Sequence, residues 1–212
     1  MTNTSLADAL RATCNPDWQP HYDILVDRLR RAGVGANAPR VGDTFPDFAL
    51  PDAQGRYRSL GTLLSGGPLV LSFNRGGWCP FCRHELAAWA AMLPALAARG
   101  AAFAAVTGEV GGRAAALATI FVDPMTMLCD VDHGVALDLG LAFHLGAPML
   151  DRYRGYGLDL GLAYGSQAGL MAVPATFLID RNGVVLYAYA DPDFRERADP
   201  ADVIAALVAS DD

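Results

Sequence analysis

The stretch LVLSFNRGGWCPFCRHE, residues 69–85, decides how the rest of the chain is interpreted. It begins with the apolar run Leu69–Phe73, which predicts a short buried strand. The glycine-bearing turn Arg75-Gly76-Gly77 follows, and Trp78-Cys79-Pro80-Phe81-Cys82 then opens a helix, because proline is favoured at the first helical position. The pattern therefore predicts a strand, a tight turn and a helix whose N-terminus carries two cysteines.

This C-x-x-C pair is the candidate chemical centre, since its place between a strand and a helix is typical of a redox-active dithiol. Only a thiolate attacks a sulfur or a peroxide oxygen, and a helix N-terminus lowers the pKa of a thiol through its free N–H groups and dipole. We expect Cys79 at the helix cap and Cys82 one turn further on, with Arg75 and Arg83 adding positive charge. Glu85 either orients the pair or transfers a proton, or it is a solvated helix residue.

The motif has three alternatives to a redox role: two buried thiols, a structural disulfide or half of a zinc site. Zinc needs two further ligands. His84 is near in sequence, but no second C-x-x-C and no H-x-x-x-H follows. We therefore expect neither a metal nor another cofactor. Cys14 is expected to be an incidental thiol unless it reaches the motif as a resolving cysteine, and Cys129 to be a small buried hydrophobe.

Composition excludes several classes of function. The 212 residues are 52% hydrophobic and 18% charged, which is typical of a folded chain. A net charge of −7 argues against a nucleic-acid partner and an anionic membrane. No lysine is present, which excludes P-loop and Schiff-base chemistry. The sequence shows no signal peptide and no bilayer-spanning apolar run, and it has few cysteines, so we expect a cytoplasmic location.

Strands and helices alternate along the chain, which predicts an α/β fold with a central mixed β-sheet flanked by helices. We expect a helical N-terminal extension over residues 1–40 and a single domain over residues 41–212. The glycine- and tyrosine-rich residues 145–172 predict an insertion, either a flap near the active site or part of a subunit interface, so a homodimer is possible. Further strands are expected at Ala102–Thr107, Met127–Asp130, Val173–Asp180 and Val184–Ala190, and helices after Cys79, around Arg113–Phe121, at Asp132–Leu139 and at Ala201–Ala209.

Four segments carry a family resemblance: VGDTFPDFALPDAQG (41–55), FNRGGWCPFCRHEL (73–86), VPATFLIDRNGVV (173–185) and the closing DPDFRERADPADVIAAL (191–207). With them the chain resembles the thioredoxin superfamily, and more closely its peroxiredoxin-like AhpC/TSA members that carry a C-x-x-C. The resemblance covers roughly residues 41–208 and implies a thioredoxin-like fold. It also implies an antioxidant enzyme that cycles Cys79 and Cys82 between dithiol and disulfide, reducing a peroxide or a protein disulfide with electrons from a thioredoxin- or glutathione-type thiol. The alternative is a non-enzymatic redox sensor or interaction module on the same fold.

The resemblance also assigns roles to residues of the motif. These roles depend on whether the chain is aligned with peroxiredoxins, here called the peroxiredoxin frame, or with thioredoxin-type enzymes, the thioredoxin frame. In the peroxiredoxin frame the peroxide-attacking cysteine falls on Cys82, and the family's proline and threonine fall on Arg75 and Cys79. The position of the family's arginine falls at or beside Pro174, where this chain has no arginine. Arg75 or Arg197 is therefore the candidate to take its place.

In the thioredoxin frame the first cysteine, Cys79, attacks and the second resolves the mixed disulfide. That frame also predicts a cis peptide bond at Val173-Pro174, with Pro174 against the motif. We favour Cys79 for disulfide exchange and Cys82 for a peroxide reaction, with Trp78 and Pro80 supporting the pair.

Overall fold

The computed structural model describes residues 5–120 and 125–210, which alternate between short strands and helices. The helices are α1 (Leu6–Thr13), α2 (Gln19–Arg31), α3 (Leu60–Leu64), α4 (Pro80–Ala97), α5 (Arg113–Ala118), α6 (Gly134–Asp138), α7 (Ala147–Gly155), α8 (Leu160–Tyr164) and α9 (Pro200–Ala209), with a 3-10 turn at Val131–His133. The strands are β1 (Ala49–Pro51), β2 (Tyr57–Ser59), β3 (Leu69–Asn74), β4 (Ala102–Thr107), β5 (Thr126–Cys129), β6 (Ala142–His144), β7 (Leu170–Ala172), β8 (Ala175–Ile179) and β9 (Val185–Ala190).

Five strands form the central sheet, in the order β5-β4-β3-β8-β9. Strands β3, β4 and β5 are parallel, whereas β8 runs antiparallel to β3 and β9 antiparallel to β8. The pairs β1–β2 and β6–β7 form two small antiparallel sheets beside it. The prediction of an α/β fold with a central mixed sheet is confirmed.

Strand β3 lies in the middle of this sheet, and all six of its residues are buried. Successive side chains of a strand point to opposite faces. Accordingly Leu71 and Phe73 belong to one core, and Val70 packs into a second core with Leu86 and Trp89 of α4. Burial on both faces explains why Leu69–Phe73 is apolar except at Ser72, and it fixes the carboxyl end of β3 beside the start of α4.

Most predicted elements agree with the structure to within a few residues. The hairpin at Asn182-Gly183 joins β8 to β9, and Asp199 caps α9 by accepting the backbone N–H of Ala201. The helix expected around Arg113–Phe121 ends at Ala118, and Phe121 lies outside the described residues. The division of the chain at residue 40 stays a prediction, although Leu25 and Leu29 of α2 are buried in the same core as β3.

The prediction of a cis bond between Val173 and Pro174 is wrong, because no peptide bond in the described part of the chain is cis. The backbone N–H of Val173 donates to Leu141 O (2.9 Å) and so continues the β6–β7 ladder, and β8 begins directly after the proline at Ala175. A trans bond carries the chain straight from one strand into the next, and trans is the intrinsically preferred isomer before proline.

Within residues 5–120 and 125–210, none of the helices is both long and apolar enough to cross a membrane.

Candidate active site

The two motif cysteines lie at the N-terminus of α4, as the sequence predicts. Cys79 is the N-cap residue with an extended backbone (φ −88°, ψ 115°), and Pro80 is the first helical residue. Both thiols are free, and Cys79 and Cys82 are only 1% and 0% exposed. The N-terminal N–H groups of a helix carry a partial positive charge, so both sulfur atoms lie where a thiolate is stabilised.

Two N–H donors point at the sulfur of Cys82. The backbone N–H of Arg75 donates to Cys82 Sγ (3.3 Å), and Arg197 Nη2 lies 3.5 Å from the same atom. The buried guanidinium of Arg197 also donates through Nε to Glu85 Oε2 (2.7 Å) and through Nη1 to the backbone oxygen of Phe194. Arg197, one of the two substitutes considered from the sequence, is therefore the cation next to Cys82.

Arg75 places a second buried cation beside the motif. Its Nη2 donates to Tyr153 Oη (2.6 Å) and its Nε to Met171 Sδ (3.1 Å). Its guanidinium carbon lies 4.7 Å from the ring centre of Trp78 and 3.9 Å from that of Phe194. None of the carboxylates in the described chain forms an ion pair with Arg75. A buried cation without a carboxylate partner favours negative charge on a neighbouring thiol.

The two thiols differ in acidity. Burial opposes ionisation of Cys79, but the hydrogen bond from Cys82 and the charges of Arg75 and Arg197 outweigh it and lower the pKa of Cys79 from 9.0 to about 6. For Cys82, burial and the neighbouring Cys79 raise the pKa well above 9.0, against the lowering effect of Arg197 and Arg75. The pair thus holds one proton and one negative charge close to neutral pH.

Glu85 is buried, not solvated. Its Oε1 accepts the hydroxyls of Ser72 (3.2 Å) and Thr176 (3.4 Å), and its Oε2 accepts Arg197 Nε. Burial raises the pKa of Glu85 to about 7, with the Cys82 charge adding to the rise and Arg197 opposing it. Arg197 lies between this carboxyl group and Cys82 and contacts both. A carboxyl group in this position that titrates near neutral pH suits proton transfer.

Aromatic side chains cover the motif, and the main ones come from the 145–172 segment. Trp78 is half-buried; its Nε1 donates to Tyr164 Oη (3.2 Å), and its ring packs edge-on to Tyr153 with 5.4 Å between ring centres. Tyr164 Oη in turn donates to the backbone oxygen of Arg75. Helices α7 and α8 therefore lie against the motif, in the position that the flap alternative describes.

The remaining residues considered from the sequence lie apart from the sulfur atoms. Arg83 and His84 are exposed on α4, and Pro80 is exposed at its first position. Pro174 is buried in the trans connection between β7 and β8. Cys129 is half-buried on β5.

Cys14 lines a cavity of about 290 Å³ near the motif. Arg197 and the α1 residues Leu6 and Leu10 line the same cavity. Cys14 itself is half-buried, and its thiol lies 3.7 Å from the backbone oxygen of Leu10. The described residues contain no group of three or more His, Cys, Asp or Glu side chains arranged to hold a metal ion.

A central mixed sheet of this order, with the helix after β3 carrying a buried cysteine pair at its N-terminus, is a thioredoxin-like fold. The profile of the AhpC/TSA family matches residues 41–188. The chain therefore belongs to the AhpC/TSA family.

Solved structures agree with this assignment. Peroxidoxin BcpB of Mycobacterium tuberculosis is 25% identical, superposes with a TM-score of 0.63, and is matched over 81% of this chain and 97% of its own. AhpC of the same organism is 17% identical with a TM-score of 0.60 over 82% of this chain and 94% of its own, a likeness that shows the fold alone. Two Mycobacterium tuberculosis sequences that carry the name peroxiredoxin are 48% identical over 46 residues, which is 22% of this chain and 30% of theirs.

Proposed function

We propose that the protein is a thiol-dependent oxidoreductase that cycles Cys79 and Cys82 between a dithiol and a disulfide. One observation carries the proposal: a buried cysteine pair at a helix N-terminus, flanked by the guanidinium groups of Arg75 and Arg197. These cations and the helix N-terminus stabilise the thiolate that any such reaction needs.

In the peroxide reaction, a motif thiolate attacks one oxygen of the peroxide and breaks the O–O bond. The attacking sulfur becomes a sulfenic acid, and the leaving oxygen departs as an alcohol or water after taking up a proton. The second motif thiol then attacks the sulfenic sulfur and releases water, which leaves the Cys79–Cys82 disulfide. Two thiols are oxidised as one peroxide is reduced, and Arg197 stabilises negative charge near Cys82 as the O–O bond breaks.

In the disulfide reaction, the Cys79 thiolate attacks a substrate disulfide and expels one thiolate, which gives a mixed disulfide. Cys82 then attacks the sulfur of Cys79 and releases the second substrate thiol. The lowered pKa of Cys79 and the raised pKa of Cys82 suit these roles of attacking and resolving cysteine. The peroxiredoxin frame assigns the first attack, on a peroxide, to Cys82, which has two N–H donors at its sulfur.

Each cycle ends with the motif oxidised, so a reductant has to return two electrons. We propose a cellular thiol of the thioredoxin or glutathione type, which reduces the disulfide by exchange. A reducing compartment such as the cytoplasm suits this cycle. A homodimer remains a proposal that rests on the apolar composition and the 145–172 segment.

The test measures steady-state consumption of hydrogen peroxide and of a disulfide substrate with a reduced thiol donor present. Wild type is compared with Cys79→Ser and Cys82→Ser, and Cys14→Ser and Cys129→Ser serve as matched controls outside the motif. Both motif variants should lose the complete cycle, whereas both control variants should keep it.

Partial activity identifies the attacking cysteine. Peroxide turnover that survives Cys79→Ser but not Cys82→Ser assigns the attack to Cys82. Disulfide reduction that is lost in Cys79→Ser, with the mixed disulfide trapped in Cys82→Ser, assigns it to Cys79. No turnover in either assay, from protein that is reduced and folded, would contradict the enzyme proposal and leave the redox sensor as the function of this fold.

A further inference from the structure

Glu109 is a buried carboxylate close to the motif with no part in the cycle described above. It follows β4 and is only 3% exposed. Its own N–H donates to Thr107 Oγ1 (3.2 Å), which fixes its backbone at the end of the strand. Its Oε2 accepts the backbone N–H of Gly77 at 2.7 Å, a short, charge-assisted hydrogen bond.

The glycine pair before the motif is shaped to receive this carboxylate. Gly76 has φ +130°, a backbone conformation that is open to glycine and rarely adopted by other residues. A Cβ atom at Gly76 would lie 2.6 Å from Glu109 Cδ, and one at Gly77 would lie 3.4 Å from a methyl carbon of Leu117. Because Gly76 has no Cβ atom, the carboxylate approaches the backbone closely, and a side chain at this position would collide with it.

The turn that Glu109 holds carries the groups that act on the sulfur atoms. Directly before it, the N–H of Arg75 donates to Cys82 Sγ. Across it, the N–H of Cys79 donates to Gly76 O (3.1 Å), which closes the turn onto the helix cap. A displaced Gly76–Gly77 peptide would therefore move the Arg75 N–H and the capping cysteine together.

We propose that Glu109 is a positioning residue, whose carboxylate holds the Gly76–Gly77 turn so that the Arg75 N–H and the N-terminus of α4 stay directed at the motif cysteines. The inference deepens the proposed function, because it names what places the thiolate-stabilising groups. Glu109 acts through the backbone of the turn. Its role therefore depends on its oxygen accepting the Gly77 N–H, and its negative charge is secondary.

A glutamine at this position separates geometry from charge. Its amide oxygen can still accept the Gly77 N–H, whereas leucine accepts nothing. If Glu109 acted only through its charge, both variants would lower the midpoint of thiolate formation, because each removes a negative charge near the cysteines. If Glu109 positions the turn, leucine raises the midpoint and glutamine does not.

The experiment follows thiolate formation by its ultraviolet absorbance as pH is raised. It uses reduced protein in which Cys14 and Cys129 are serine, and it adds the rate of alkylation by iodoacetamide. We expect Glu109→Leu to raise the midpoint by about one pH unit. Glu109→Gln should keep it at the wild-type value or below. The matched control is Asp130→Asn, since Asp130 is also a buried carboxylate that accepts backbone N–H groups, those of Val135 and Ala136 in α6.

A second variant changes the turn itself instead of Glu109. Gly76→Ala should also raise the midpoint, because its Cβ meets the Glu109 side chain. Circular dichroism checks that every variant is folded at the temperature of the titration. A folded Glu109→Leu with an unchanged or lowered midpoint, or an Asp130→Asn that raises it equally, would overturn the inference. The titration needs no substrate, so its outcome decides the role of Glu109 even if the turnover assays contradict the proposed cycle.

Discussion

Replacing Arg75 by methionine removes the buried cation that has no carboxylate partner among the described residues. Methionine is apolar and long enough to occupy the space between Tyr153, Met171 and the ring of Phe194. The backbone N–H of residue 75 is unchanged, so its hydrogen bond to Cys82 is retained. The substitution therefore removes the guanidinium charge together with its hydrogen bonds to Tyr153 and Met171, while the backbone donor to Cys82 stays.

The size of the effect follows from the pKa of Cys79. That pKa is lowered from 9.0 to about 6, with Arg75 one of the charges responsible. The difference corresponds to ~4 kcal/mol in favour of the thiolate. One opposite charge close to a group moves its pKa by about 1 to 3. We expect the pKa of Cys79 in Arg75→Met to lie between about 7 and about 9.

The reaction rate at pH 7 is a poor measure of this change. With a pKa of about 8 only ~10% of the thiol is ionised at pH 7, against ~90% with a pKa of about 6. A more basic thiolate is a better nucleophile, however, and a Brønsted coefficient of about 0.45 makes it roughly eightfold faster. The two effects nearly cancel at pH 7, so the expected signature is a shifted midpoint and a higher rate at alkaline pH.

The assay is alkylation of reduced protein by iodoacetamide across the pH range, with Cys14 and Cys129 replaced by serine and the modified cysteine located by mass spectrometry. Arg83→Met is the matched control, because Arg83 lies beside Cys82 in sequence but is exposed, so solvent screens its charge. An unchanged midpoint in folded Arg75→Met would refute the reasoning. So would an equal shift in Arg83→Met.

Three further predictions concern residues around the motif. Burial raises the pKa of Glu85 from 4.5 to about 7, so its contribution to stability is fully present below pH 4.5 and is lost as pH rises through 7. Urea denaturation should show the unfolding free energy of wild type falling by up to ~3 kcal/mol over this range relative to Glu85→Gln, and parallel pH curves would contradict this. Arg197→Met should lower peroxide turnover by about 100-fold and disulfide reduction by less, because it removes a donor to Cys82; equal losses in the two assays would argue against that role. Trp89→Ala should cost ~3–5 kcal/mol of stability in thermal or chemical unfolding without moving the thiolate midpoint, because Trp89 is a fully buried core residue; a shifted midpoint would mean that it reaches the motif.

The fold could be predicted where local pattern and tertiary burial agree. Strand β3 is buried on both faces, so it is mainly apolar, a pattern that the sequence displays directly. The start of α4 is fixed by Pro80, and the β8–β9 hairpin by Asn182-Gly183, where Gly183 has φ +85°. The cis bond before Pro174 was inferred from resemblance alone. It is wrong because Val173 takes part in the β6–β7 ladder, which no local pattern reveals.

The surroundings of the cysteines were harder to predict, because they come from distant parts of the chain. Arg197 could be named only as one candidate for the missing arginine, since its ion pair with Glu85 spans 112 positions. Tyr153 and Tyr164 lie in the 145–172 segment, for which the sequence left open a flap near the active site or a subunit interface and named no residue that contacts the motif. Glu109 was missed entirely, although Gly76-Gly77 was a signal: two adjacent glycines before a functional helix indicate that another group approaches the backbone closely.

The geometry around the pair also bears on why the two frames disagree about which cysteine attacks. Against its burial, the hydrogen bond from Cys82 and the flanking arginines lower the pKa of Cys79, whereas burial and Cys79 raise that of Cys82. Under the proposed cycle, however, the access of the substrate to each sulfur atom also decides the chemistry. Arg197, a neighbour of Cys82, lines the cavity of about 290 Å³ beside α1, which is large enough for a small peroxide. For a protein disulfide we expect an approach from the side of half-buried Trp78, next to Cys79. Substrate size would then assign peroxides to Cys82 and protein disulfides to Cys79, and a filled cavity should inhibit the first reaction and spare the second.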